Sequence, residues 1–146
     1  MIQEIKDKME LKELVDVFSV LADRKDAKAQ ELLFTEDAVV NSYGDGKLIS
    51  TLQGREQIGE GFGNFLALFE TVYHINGQQV VTVDGDRATG VSYCQVTLIG
   101  KDDKGQRVMS TQGVTYDDEY QRVNGKWLIA GRTSHFVWSD RKTVEE

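Results

Sequence analysis

Along the first quarter of the chain, Ile2, Ile5, Met9, Leu14, Val15, Phe18, Leu21 and Ala22 recur at spacings of three and four. Lys6, Lys8, Lys12 and Asp16 fall between them, and this pattern predicts an amphipathic helix. The charged stretch Asp23-Arg24-Lys25-Asp26 interrupts it. Asp26 is placed to cap a short second helix through Leu33, because its carboxylate can accept an unpaired backbone N–H. Ala38–Tyr43 reads as a strand, Gly44-Asp45-Gly46 as a turn, and Lys47–Gln53 as a second strand. Gly54 opens a third helix with Ile58, Phe62, Phe65, Leu66 and Phe69 on one face. Gly59, Gly61 and Gly63 inside that helix each cost about 1 kcal/mol of helix propensity relative to Ala. Either another backbone segment must approach closely there, or the helix is loosely formed.

After Val72 the pattern changes to strands. The turn signals Asp84-Gly85-Asp86, Asp103-Lys104-Gly105 and Asn124-Gly125 divide four segments: Val72–Val83, Arg87–Gly100, Gln106–Tyr120 and Lys126–Trp138. Such short turns predict antiparallel hairpins. The segments exceed the usual five or six residues and must coil or bend. Gly77, Gly90, Gly113 and Gly131 stand inside them, where strands bulge or curve. The expected architecture is α+β: three N-terminal helices packed on a strongly curved, mainly antiparallel sheet, enclosing a cavity. Residues 1–140 read as one domain, and 141–146 as a charged tail that frays after Trp138.

Composition narrows the partners. The 146 residues carry 24 acidic and 17 basic side chains, a formal charge of −7. That field repels phosphate backbones and anionic lipid, so neither nucleic acid nor a membrane surface is an expected partner. No apolar run is long enough to cross a bilayer, and the charged start Met1-Ile2-Gln3-Glu4 is unlike a signal segment, so the cytoplasm is the expected location. Cys94 is the only cysteine, which excludes an internal disulfide and reads as a small buried hydrophobe. Proline is absent, so turns fall to Gly, Asn and Asp.

Four landmarks in order resemble the SnoaL-like family of the NTF2-like superfamily, in its scytalone-dehydratase-like branch. They are Leu33-Phe34-Thr35-Glu36-Asp37-Ala38, then Gly54-Arg55-Glu56-Gln57-Ile58, then His74-Ile75-Asn76 with Val83-Asp84-Gly85-Asp86-Arg87-Ala88, and Asn124-Gly125-Lys126-Trp127-Leu128-Ile129. Arg132 lies where the family often has a basic residue. The resemblance implies a six-stranded cone, a deep apolar pocket for a small molecule, and a homodimer through the outer sheet face. Enzymes on this scaffold include dehydratases, ketosteroid isomerases, polyketide cyclases and epoxide hydrolases, but one scaffold hosts many chemistries.

In similar dehydratases a histidine matching His74 is the general base, and an aspartate matching Asp23 orients it. An imidazole suits that task because its ordinary pKa of about 6.5 lies near neutrality. Asn76, two residues on, shares its strand face. Two departures stand out. Phe18 occupies the place of the dehydratases' tyrosine, and Gln95–Ile99 lacks the third titrating group. The basic aspartate of a ketosteroid isomerase would fall at Asn41 or Ser42. Tyr43, Tyr93 or Tyr116 could supply a hydroxyl, and Gln95 a hydrogen bond. Phe18, Phe62, Phe65, Leu66 and Trp138 are candidate pocket walls.

Other clusters carry less. Alternation puts His135 on one strand face with Trp127 and Ile129, and Arg132 on the other, where it reads as a surface ion pair. Asp117-Asp118-Glu119 reads as a solvated patch. His74 and His135 have no metal-ligand spacing, so no metal and no cofactor are expected. Gly59-Glu60-Gly61-Phe62-Gly63 lacks the Lys-Ser/Thr of a phosphate loop. Two functions remain: a dehydratase-like lyase or isomerase using His74 and Asp23, or a non-catalytic ligand-binding or dimerisation module.

Overall fold

A computed structural model describes residues 1–145. The elements in order are α1 (Ile2–Asp23), α2 (Ala27–Glu31), β1 (Phe34–Gly44), β2 (Lys47–Gln53), α3 (Arg55–Leu66), β3 (Thr71–Asp84), β4 (Arg87–Lys101), β5 (Arg107–Val123) and β6 (Lys126–Thr143). The strands form one sheet in the order β2-β1-β6-β5-β4-β3. Every neighbouring pair is antiparallel except β1 with β6.

Local chemistry fixes the joints. Asp26 caps α2 by accepting the Ala29 N–H at 3.1 Å. Asn124 and Gly125 both take positive φ in the β5–β6 turn, the backbone that twists a two-residue hairpin in the direction of its strands. Arg55, at the start of α3, reaches back to the Phe34 carbonyl with Nε at 2.9 Å and with Nη2, so two of the landmark motifs grip each other. The glycines of α3 answer to close approach. A Cβ at Gly59 would lie 2.0 Å from the Glu31 side chain, and one at Gly61 would lie 2.9 Å from Leu52. The helix is therefore pressed against α2 and β2, and is not loosely formed.

The sheet bends where its register slips. Shifts occur between Asn76 and Gln79 on β3, beside Gly77, and at Gly113/Val114 and Glu119/Tyr120 between β5 and β6. Gly90 marks no slip; Tyr120 and Val81 crowd it instead, each 3.1 Å from where a Cβ would stand. One apolar cluster gathers around Leu11, Phe18, Phe34, Ile58 and Trp127, another around Ala22, Leu66, Val96, Val114 and Tyr116. The hollow of the cone lies where they meet.

Three expectations need correction. In α1 the buried stripe is Asp7, Leu11, Leu14, Val15, Phe18 and Ala22, while Ile2, Ile5 and Met9 are exposed. Asp7 turns inward because Arg122, Trp127 and Gln3 all bond its carboxylate. β1 begins at Phe34 rather than Ala38. β6 runs past Trp138 to Thr143, paired with β5 down to Val108, so residues 141–143 of the expected fraying tail lie in the sheet. Glu146 lies outside the described residues. Among those described, no helix is long and apolar enough to cross a membrane.

Candidate active site

A cavity of about 270 Å³ opens between the helices and the concave sheet face. Phe18 from α1 and Phe62, Phe65 and Leu66 from α3 wall one side; Val96, Leu98, Val114 and Tyr116 wall the other. Phe18 packs edge-on against Phe34 at 5.9 Å and Phe62 at 5.7 Å, the favoured geometry for ring quadrupoles. Polar side chains break this apolar lining: His74, Arg132, Gln30 and Gln112, with the hydroxyls of Ser42, Ser50 and Ser134.

His74 sits on β3 opposite the C-terminal end of α1, which ends in Asp23. Its Nδ1 is 2.7 Å from Asp23 Oδ1. The same carboxylate accepts the His74 backbone N–H, at 3.0 Å to Oδ1 and 3.1 Å to Oδ2. Asp23 thus fixes both the strand and the ring. Asn76 supports the joint from the same strand face: its amide donates to Asp16 at 3.0 Å, and its oxygen accepts from Ser19 at 3.2 Å. Burial holds the His74 pKa below its ordinary value; Asp23 opposes this, and the Arg132 charge adds to it. The neutral imidazole therefore keeps its proton on Nδ1, toward Asp23. Nε2 has no protein partner among the described residues.

Arg132 is the residue that sequence reasoning misplaced. It is only 2% exposed, and Asp118 is equally buried. The pair is bidentate, with Nε to Oδ1 at 2.8 Å and Nη2 to Oδ2 at 3.0 Å. Tyr120 donates to the same carboxylate at 2.7 Å. The guanidinium lies 4.6 Å over the Phe18 ring and 3.9 Å over Tyr116. Burial alone would pull the Arg132 pKa down, but Asp118 outweighs it and the group stays charged. Its Nη1 is buried and has no partner among the described residues. Ala130 explains the misplacement. Glu119 faces Gly131 while Tyr120 faces Ile129, so Ala130 is an extra residue on β6. One extra residue inverts the alternation, bringing Arg132 inward and sending His135 out.

The other candidates divide by face. Tyr116 lines the cavity, and burial pushes its phenol pKa up, so it stays protonated. Tyr43, Tyr93, Gln95 and Trp138 lie on the outer sheet face and do not reach the cavity. Tyr93 and Gln95 alternate with the buried Ser92, Cys94 and Val96. Trp138 is turned outward by a second slip, in which Gly113 pairs with Trp138 and Val114 with Phe136. Tyr43 stacks on His135 at 5.5 Å, and His135 pairs with Asp117 at 3.0 Å. The buried Cys94 thiol is pushed up to about 11 and is inert as a nucleophile at neutral pH. No three His, Cys, Asp or Glu side chains converge as metal ligands among the described residues.

The profile of the SnoaL-like domain matches residues 3–133. The chain belongs to the SnoaL-like family. An uncharacterised protein of Mycobacterium tuberculosis is 28% identical to this SnoaL-like chain over 132 residues, covering 90% of it and 86% of the relative. Among solved structures, a candidate scytalone dehydratase from Novosphingobium aromaticivorans superposes with a TM-score of 0.82, covering 99% of this chain and 94% of the other at 17% identity. A candidate aromatic ring hydroxylase from the same organism is 27% identical, with a TM-score of 0.77 and coverage of 96% and 94%. The NTF2-like cone is the fold these neighbours share with this SnoaL-like domain.

Proposed function

We propose that this SnoaL-like protein is a proton-transfer enzyme acting on a small, largely apolar molecule, as a dehydratase-like lyase or an isomerase. The observation that carries this reading is an imidazole held through Nδ1 by Asp23 at 2.7 Å on the wall of a cavity. His74 Nε2 takes a proton from a substrate carbon. Asp23 steadies the cation that forms. The electron pair left on carbon moves into an adjacent carbonyl, whose oxygen gains charge; Arg132 Nη1 is the donor available to it. In dehydration, a hydroxyl on the neighbouring carbon leaves with the proton from His74, and water and a double bond result. Phe18 lacks the hydroxyl of similar dehydratases, and the guanidinium stacked over that ring supplies the missing polarisation.

The test does not need the natural substrate. Small cyclic ketones in deuterated buffer, followed by NMR, report proton abstraction beside a carbonyl. The wild type should accelerate exchange, and His74→Gln should lower the rate at least about 100-fold with an unchanged circular dichroism spectrum. Equal exchange in the two proteins would remove the mechanism. A purely ligand-binding module would need no imidazole aligned by a carboxylate, and nothing in the cavity favours it over the enzyme.

A second copy of the chain is the occupant we infer for the outer sheet face, where Tyr73, Ile75, Tyr93 and Trp138 are each about half exposed. Sedimentation equilibrium should give a dimer at micromolar concentration. A monomer under those conditions excludes it.

A further inference from the structure

Gln30 belongs to α2, whose five residues otherwise serve as a short link. It is 1% exposed and lines the cavity. Its Nε2 donates to the Phe18 carbonyl at 3.1 Å. That bond fixes the amide, because turning it over would bring two acceptors face to face. Oε1 is then left buried without a partner among the described residues. A buried acceptor with no donor is costly, and native proteins rarely keep one without a use. Gln30 and Arg132 both line the cavity, and each keeps one buried polar atom without a partner among the described residues, the acceptor Oε1 and the donor Nη1, on two different elements. A wholly apolar ligand would leave both unsatisfied.

We propose that Gln30 is a specificity-determining residue that accepts a hydrogen bond from a hydroxyl on the ligand. The substrate class is then a small hydroxylated carbonyl compound: an apolar frame, an oxygen acceptor for Arg132 and a separate O–H donor for Gln30. This rests on the proposed use of the cavity, and it adds a group that proton transfer does not require. The locked amide reads that group by hydrogen bonding, which discriminates far more sharply than apolar contact. Phe18 joins the two polar contacts, since its carbonyl orients Gln30 while its ring carries Arg132.

Methyl benzoate, methyl 3- and 4-hydroxybenzoate and their methoxy counterparts test the idea. They carry an acceptor and an aromatic frame but no hydrogen on carbon beside the carbonyl. Binding is thus read without turnover, and loss of the proton-transfer reading would leave this measurement standing. By calorimetry the wild type should bind at least one hydroxy ester about tenfold or more tighter than its methoxy and unsubstituted partners. In Gln30→Met that preference should fall below about twofold. Equal affinities in the wild type, no measurable binding of either hydroxy ester, or a preference that survives in Gln30→Met would overturn the proposal. Should the variant not fold, a crystal structure of the wild type with its preferred hydroxy ester decides. A hydroxyl within hydrogen-bond distance of Oε1 supports the assignment, and a hydroxyl elsewhere refutes it.

Discussion

Two buried aspartates in this molecule each hold an arginine, and the two pairs are built differently. Away from the cavity lining, Arg122 gives Nη1 to Asp7 at 2.6 Å, Nε to Asp86 at 2.9 Å and Nη2 to the Gly85 carbonyl at 2.9 Å. Its guanidinium lies 4.6 Å over Trp127. Every nitrogen ends on protein, and the group ties α1 to the β3–β4 and β5–β6 turns. Arg132 instead gives two nitrogens to Asp118 and leaves the third bare beside the cavity. A guanidinium whose three nitrogens all bond to protein, away from the cavity lining, serves as a tie within the fold. One that stays charged, dry and one donor short is preorganised for charge that develops elsewhere. The difference separates a pair that holds the fold from one suited to chemistry.

The largest expected effect comes from removing the counter-charge. Asp118→Ala leaves Arg132 charged within an apolar wall and should cost about 3–5 kcal/mol in urea unfolding. Asp7→Ala should cost less, since Arg122 keeps Asp86 and is partly solvated. Equal losses would erase the distinction. Replacing both members, Arg132→Met with Asp118→Leu, should restore stability to within about 2 kcal/mol, because matched apolar groups often substitute for a buried pair. Ketone exchange should stay near background in that protein. Full exchange activity there would break the comparison from the other side.

How much of this was legible depended on how many independent signals each position carried. The hairpins and the bend at Gly113 were readable because turn chemistry and interior glycines point the same way. The two faces of β4 were not, because Val91, Tyr93 and Ile99 are as apolar as Cys94, Val96 and Leu98. A period of two then cannot say which face is inside. Arg132 was misplaced by a single extra residue, Ala130, which leaves no mark in composition; a second, Val137, restores the alternation, so Trp138 lies outward, where strict alternation from Trp127 already puts it. Asp118 did leave one: it shares its strand face with Tyr116 and Tyr120, both core residues, and alternation alone would have buried it. The landmark motifs showed the scaffold and pointed to His74 as a candidate. Gln30, a single amide in a five-residue helix, offered no pattern at all.

The smallest effect is on pH, and it bears on the chemistry most directly. Asp7 tends upward in pKa from burial, but bonds from Gln3, Trp127 and Arg122 and the Arg122 charge bring it below its ordinary value. Its contribution to stability is therefore complete above about pH 3.9 and lost as pH falls through the folded value. His74 is also held low, by burial first. Between its folded value and about 6.5 the unfolded chain binds a proton that the folded chain refuses. Stability should therefore fall as pH drops through that window and be flat above it. Tm against pH should show an upper step absent from His74→Gln and a lower step absent from Asp7→Asn. A Tm that rose on acidification below pH 6.5 would mean that Asp23 outweighs burial. His74 would then be a cation near neutrality with Nε2 already protonated, and no base would face the cavity.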